Sequence, residues 1–152
     1  MKALGLIIVG VAALSLTVLG AAAARSSSAR PATVATGRTA LGRVVVDGRG
    51  RTLYLFEKDR RGRSACSGAC AAYWPPLLTH GRPIATGGAK RSLLGMIRRA
   101  DGTSQVTYAG HPIYRFTGDT GRGQTSGEGL KDFGAGWYAL TPAGKKIDRD
   151  GD

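Results

Sequence analysis

Hydrophobic positions fall into three regimes along the chain. Residues 3–19 form one apolar run without a charge, opened by Lys2 and closed by the small residues Gly20 to Ala24. Residues 25–39 carry no periodic apolar pattern and are rich in Ser, Ala and Thr. From there to residue 144 the apolar residues come in short segments of β-branched and aromatic side chains, bounded by Gly and Asp, which is the pattern of strands and tight turns. Val44-Val45-Val46 and Thr52 to Phe56 flank the turn Asp47-Gly48-Arg49-Gly50. Gln105 to Thr107 and Pro112 to Phe116 flank Tyr108-Ala109-Gly110. Leu94 to Arg99 and Thr103 to Val106 flank Asp101-Gly102, and Trp137 to Leu140 supplies a last strand. Residues 66–73 and 89–93 have room for one or two short helical turns. The expected fold is therefore mostly β, a small antiparallel sandwich or barrel.

Strand parity makes this expectation specific. A three-residue loop ending in a left-handed Gly keeps residues of equal parity on one face. In the first hairpin it aligns Val44, Val46, Tyr54 and Phe56. Applied to the second, it aligns Val106, Pro112, Tyr114 and Phe116 and turns Gln105 and Arg115 away. Truncating Leu55 or Arg115 should then cost much less than truncating Tyr54 or Phe116.

A shift of about 60 residues lays Tyr54, Phe56 and Asp59 on Tyr114, Phe116 and Asp119, with a Gly four positions ahead of each Tyr. The two motif copies YLFEKD and YRFTGD, the CSGAC-AAYWPP segment, the DGTSQVTYAGHPIY stretch and the closing Gly-Trp-Tyr-Ala-Leu together resemble a bacterial secreted-repeat family. Its members are predicted lipoproteins with a Yx(FWY)xxD motif. The resemblance implies a repeat domain and brings no assigned function. It departs at one point, since no cysteine lies near the N-terminus for lipid attachment.

The first regime reads as a signal peptide, residues 1–24, with Ala22-Ala23-Ala24 as the small-x-small cleavage site. A run of roughly 17 apolar residues is also long enough to be retained as an anchor. Residues 25–39 read as a flexible linker, 40–144 as one β-rich repeat domain and 145–152 as a charged, frayed tail. Export places the protein in the cell envelope or outside the cell. The formal charge is +12, from 22 Lys and Arg against 10 Asp and Glu. Such a balance favours anionic envelope polymers or lipid head groups. The basic residues follow no nucleic-acid-binding pattern, so no specific nucleic acid is expected.

Candidate chemistry is sparse. Cys66 and Cys70, in an oxidising compartment, suggest a structural disulfide, because i,i+4 spacing on a helix brings their Cα atoms to about 6 Å. So short a loop contributes about 2 kcal/mol by chain entropy. The alternative is a copper- or redox-handling protein in which Cys66 and Cys70 act with His111 or His80. A zinc site lacks a second close-spaced ligand pair. Asp59 and Asp119 invite an acid/base or calcium reading, but repetition in both copies favours a structural role in the turn each one starts. Residues 119–130, which include Glu128, read as a mobile surface loop, and Tyr73 and Trp74 as core. No hydrolase signature occurs, so no catalytic residue and no cofactor is expected, and the domain is read as a non-catalytic binding module.

Overall fold

The computed structural model describes residues 30–148. The expected signal peptide and the ends of the expected linker and tail lie outside these residues. Strands dominate: β1 (Thr33–Thr39), β2 (Gly42–Asp47), β3 (Tyr54–Phe56), β4 (Ile84–Ala85), β5 (Leu94–Arg98), β6 (Ser104–Tyr108), β7 (His111–Pro112) and β8 (Trp137–Ala139). One helix, α1 (Ala69–Tyr73), and a 3₁₀ turn at Arg91–Leu93 complete the set. The strands form three small sheets, ordered β2-β1-β4, β3-β8 and β5-β6-β7, and the arrangement is sandwich-like and not a closed barrel. All pairs are antiparallel except β1 with β4.

β1 corrects the expected linker. Residues 33–39 pair with β2 from Val34 opposite Asp47 to Thr39 opposite Gly42. Only Val34 in this stretch is large, apolar and fully buried, so hydrophobic periodicity alone could not reveal the strand. The expected tail is also tied down over its first residues. Lys146 bridges Leu140, the Ile147 amide donates to Ala139 O, and Lys146 Nζ contacts Glu57 and Asp148 at 2.8 and 2.9 Å.

The first hairpin has the expected three-residue loop. The Asp47 amide donates to Arg51 O, Val46 faces Thr52, and Gly50 takes φ 82°. The second hairpin differs: Tyr108 faces His111 directly across the two-residue loop Ala109-Gly110. Both loop residues have positive φ, 51° and 82°, as this tight turn requires. The one-residue change in register places Ile113 beside Val106 and turns Gln105 inward. Gln105 is fully buried, and its polar groups are met by Arg99 Nη1 at 2.7 Å and Ile113 O at 3.0 Å. Apolar gathering was the wrong criterion here because a buried amide with partners on both sides is stable in the core.

Two apolar clusters result, and the paired strands separate them. Leu53, Leu55, Ile113 and Leu140 pack on one face with Val45 and Val106. Tyr54, Phe56, Tyr114 and Trp137 pack on the other with Val44 and Val46. Because β3 is buried on both faces, Leu55 is as enclosed as its neighbours, contrary to the parity expectation. Arg115 is also engaged. Its Nε lies 2.7 Å from Oδ2 of Asp47, which is buried and also accepts the Arg49 and Arg51 amides at 2.9 and 3.0 Å. Burial alone would raise the Asp47 pKa. The bond from Arg115 and the two amides outweigh it and hold the carboxyl below its ordinary range.

Truncating Leu55 to Ala should therefore cost about 2–5 kcal/mol, close to the effect of Tyr54→Ala, as read by urea unfolding. Arg115→Ala should cost about 2 kcal/mol, because it removes a charged partner from a buried carboxylate. The sign for Asp47 follows from its depressed pKa: its contribution is present at neutral pH and is lost as pH falls through the acid range. Asp47→Asn should flatten that acid limb, and an unchanged pH profile would contradict the assignment.

Candidate functional site

The repeat predicts that the motif residues occupy equivalent positions, and the structure joins them across the two copies. Tyr54 and Tyr114 form an antiparallel bridge, each amide donating to the other's carbonyl at 2.9 and 3.0 Å. From this bridge the side chains cross over. Tyr54 Oη donates to Asp119 Oδ2 at 2.5 Å, and Tyr114 Oη donates to Asp59 Oδ2 at 2.8 Å. Each Asp amide donates to the carbonyl of its own motif Phe, at 3.1 Å in both copies. The remaining carboxylate oxygens accept the Ala65 amide at 2.6 Å and the Ser126 amide at 2.9 Å. One Asp thus closes its own turn, fixes the following loop and receives the other copy's phenol.

The aromatic rings repeat this symmetry. Phe56, Trp137, Trp74 and Phe116 stack in series with centroids 4.0, 3.9 and 4.4 Å apart. Tyr54 meets Trp74 edge-on at 5.5 Å, and Tyr114 meets Trp137 edge-on at 5.2 Å. Trp74 and Trp137 are therefore equivalent, as are Leu77 and Leu140, which accept the Val106 and Val45 amides. The shared Trp-x-x-Leu spacing was the available signal for this second duplicated segment. Only Trp74 of the Tyr73-Trp74 pair is core; Tyr73 is exposed, its ring 6.2 Å from that of Phe133.

Burial pushes the Tyr54 and Tyr114 phenols well above their ordinary pKa, and the facing carboxylates add to the shift. Both remain protonated donors. Burial also raises Asp59, against the bonds from the Ala65 amide and Tyr114 that lower it. With every carboxylate oxygen of the motif accepting a hydrogen bond, the arrangement joins the two repeats. Residues 119–130 are tied into the same arrangement and are more than a surface loop. Gln124 O accepts the Thr52 hydroxyl, and Glu128 Oε2 accepts the Ala139 amide at 2.7 Å. Gly127 sits so close to Trp74 and Tyr54 that an added Cβ would lie 2.8 and 2.9 Å from their rings.

Cys66 and Cys70 form a disulfide with Cα atoms 5.2 Å apart. α1 starts only at Ala69, so the bridge ties the helix to the chain leading into it and does not join two points on one helix. His111 and His80 are exposed, and no group of three His, Cys, Asp or Glu placed to hold a metal occurs among the described residues. The combination Cys66, Cys70 and His111 is thus not assembled as a metal site. Arg99 was missed by motif reading. Its side chain donates to Ser64 Oγ at 2.9 Å and Cys66 O at 2.6 Å as well as to Gln105, and Ser64 Oγ lies 2.7 Å from Tyr114 Oη. Nothing in its sequence context separates Arg99 from its exposed neighbour Arg98.

The family of secreted repeats of unknown function matches this chain over residues 35–78 and 95–141. No curated protein and no solved structure matches it. No helix among the described residues is long and apolar enough to cross a membrane.

Tyr54→Phe strands a buried carboxylate oxygen of Asp119 and should cost about 1–3 kcal/mol. Tyr114→Phe should cost less, because Asp59 is only partly buried. A double-mutant cycle of Tyr54→Phe with Asp119→Ala measures the coupling. Additive effects would show that the pair contributes nothing of its own.

Proposed function

The chain belongs to the family of secreted repeats of unknown function, and from that premise we propose that it is an exported, non-catalytic β domain that binds anionic polymers of the cell envelope. The observation that carries this reading is how the charges are divided. The acidic side chains are largely used inside the domain: Asp47, Asp59 and Asp119 accept amides, phenols and guanidinium groups, Asp101 closes its own turn, and Glu57 pairs with Lys146. Among the described residues, the cations in ion pairs are Arg51, Arg115 and Lys146. Arg60, Arg61, Arg63, Arg91 and Arg98 are exposed, so the excess positive charge lies on the outside. A surface of that kind attracts polyanions over a range set by ionic strength. Lipid head groups present the same charge at a flat surface and are the second class of partner.

Purified protein should bind a soluble poly(glycerol phosphate) chain at 50 mM salt and lose affinity by roughly two orders of magnitude or more at 500 mM, in line with displacement of several phosphate contacts. Phosphatidylglycerol vesicles, tested in parallel, separate polymer from lipid. Replacing Cys66 and Cys70 by Ser should leave binding intact. No binding at low salt, or binding indifferent to salt, would sink the reading.

A further inference from the structure

We propose that the cleft between the turn at Arg60 to Arg63 and the β5–β6 hairpin is an oxyanion site that takes a phosphate group. The cleft has a volume of about 680 Å³, and its lining includes Arg63, Ser64, Ser67, Arg98, Arg99 and Asp101. That is ample for one phosphate with part of the molecule that bears it. Two of its three arginines, Arg63 and Arg98, are exposed and come from the two elements that border it. Arg63 stands on a tight turn in which Arg60 and Arg63 exchange backbone hydrogen bonds at 3.1 and 3.0 Å, and Arg98 ends β5. The one acidic wall residue, Asp101, accepts the amide and hydroxyl of Thr103 on Oδ1 at 2.9 and 2.6 Å, and against it stand the three arginines of the lining.

The third arginine makes this a built site. Arg99 has 9% of its surface exposed and is the buried cation among the described residues. Its hydrogen bonds go to Ser64 Oγ, Gln105 Oε1 and Cys66 O, all neutral acceptors. It makes no ion pair among the described residues, and its Nε has no hydrogen-bond partner. Asp59 and Asp101 act on it through space, and no carboxylate bonds to it; the hydrogen-bonded link to Asp59 runs through Tyr114 and Ser64. Neutral acceptors fix the guanidinium plane and leave it without a bonded counterion, which is costly for a buried charge. An anion in the cleft would supply a counterion in direct contact. Guanidinium groups match the oxygens of phosphate with paired hydrogen bonds, and a phosphate offers enough oxygens for more than one of them. Cys66 takes part through its backbone carbonyl alone, which a serine at that position would keep.

This inference rests on the reading of the domain as a polyanion binder and narrows it to one place on the surface. Free phosphate and a phosphodiester within a polymer share the chemistry, so both are used as probes. ¹⁵N-labelled protein is titrated at constant ionic strength with inorganic phosphate and, separately, with poly(glycerol phosphate), with chloride as control. The expected result is saturable shifts confined to the amides of Ser64, Cys66, Ser67, Ala100 and Asp101. Affinity should weaken at least tenfold in Arg63→Gln/Arg98→Gln and stay within twofold in Arg38→Gln/Arg122→Gln, which removes the same charge elsewhere. Saturation by phosphate alone identifies the free ion, and saturation by the polymer alone identifies the diester. If the first double variant melts below the wild type, Arg98→Gln alone supplies the comparison. Equal weakening by both pairs, or shifts scattered over the surface, would overturn the site while leaving polyanion binding in place. Loss of polymer binding by the wild-type protein at low salt would instead overturn the broader reading.

Discussion

The bridge between Tyr54 and Tyr114 is the constraint on which the rest of the structure depends. Two backbone hydrogen bonds hold the motif strands side by side, and each phenol then crosses to the aspartate of the other copy. Neither repeat can therefore satisfy its own motif. A lone copy would leave a buried phenol without an acceptor and a carboxylate without a donor, and unsatisfied buried polar groups are costly. The four-ring stack through Trp74 and Trp137 adds dispersion and area burial to the same junction. Hydrogen bonding thus specifies the pairing that the aromatic rings stabilise.

That internal use of carboxylates shapes the outside. Asp59 and Asp119 are needed at the junction and Asp47 at the first hairpin, where it also receives Arg115 from the second repeat. The arginines have few acidic partners left on the surface. Arg99 is buried, and it reaches the junction itself, since Ser64 connects it to Tyr114. The cleft and the motif pair are in this way joined by hydrogen bonds.

Much of this order was legible in the chain. Motif spacing located the repeat, and β-branched runs bounded by Asp and Gly located six of the strands. Parity worked for Val44, Val46, Tyr54 and Phe56 because the Asp47 hairpin has a glycine at the position that needs positive φ. It failed at the second hairpin because Ala109 adopts positive φ, a conformation its side chain gives no reason to expect. It failed for Leu55 because alternation cannot tell one buried face from two. β1 was invisible for a different reason: residues 33–39 become a strand by pairing with β2, a long-range cause that local composition does not record. The crossing of Tyr and Asp between copies is likewise tertiary. Sequence places each Asp five residues after its own Tyr and says nothing about which Tyr it meets.

Native-state hydrogen exchange at the Tyr54 and Tyr114 amides tests the central claim most directly. If the two copies form one cooperative unit, both amides exchange only through global unfolding, with the same free energy and the same denaturant slope as the whole domain. Exchange of either amide through a smaller opening, with a shallower slope and a lower free energy, would mean that the repeats open independently and that the bridge is not what holds them together.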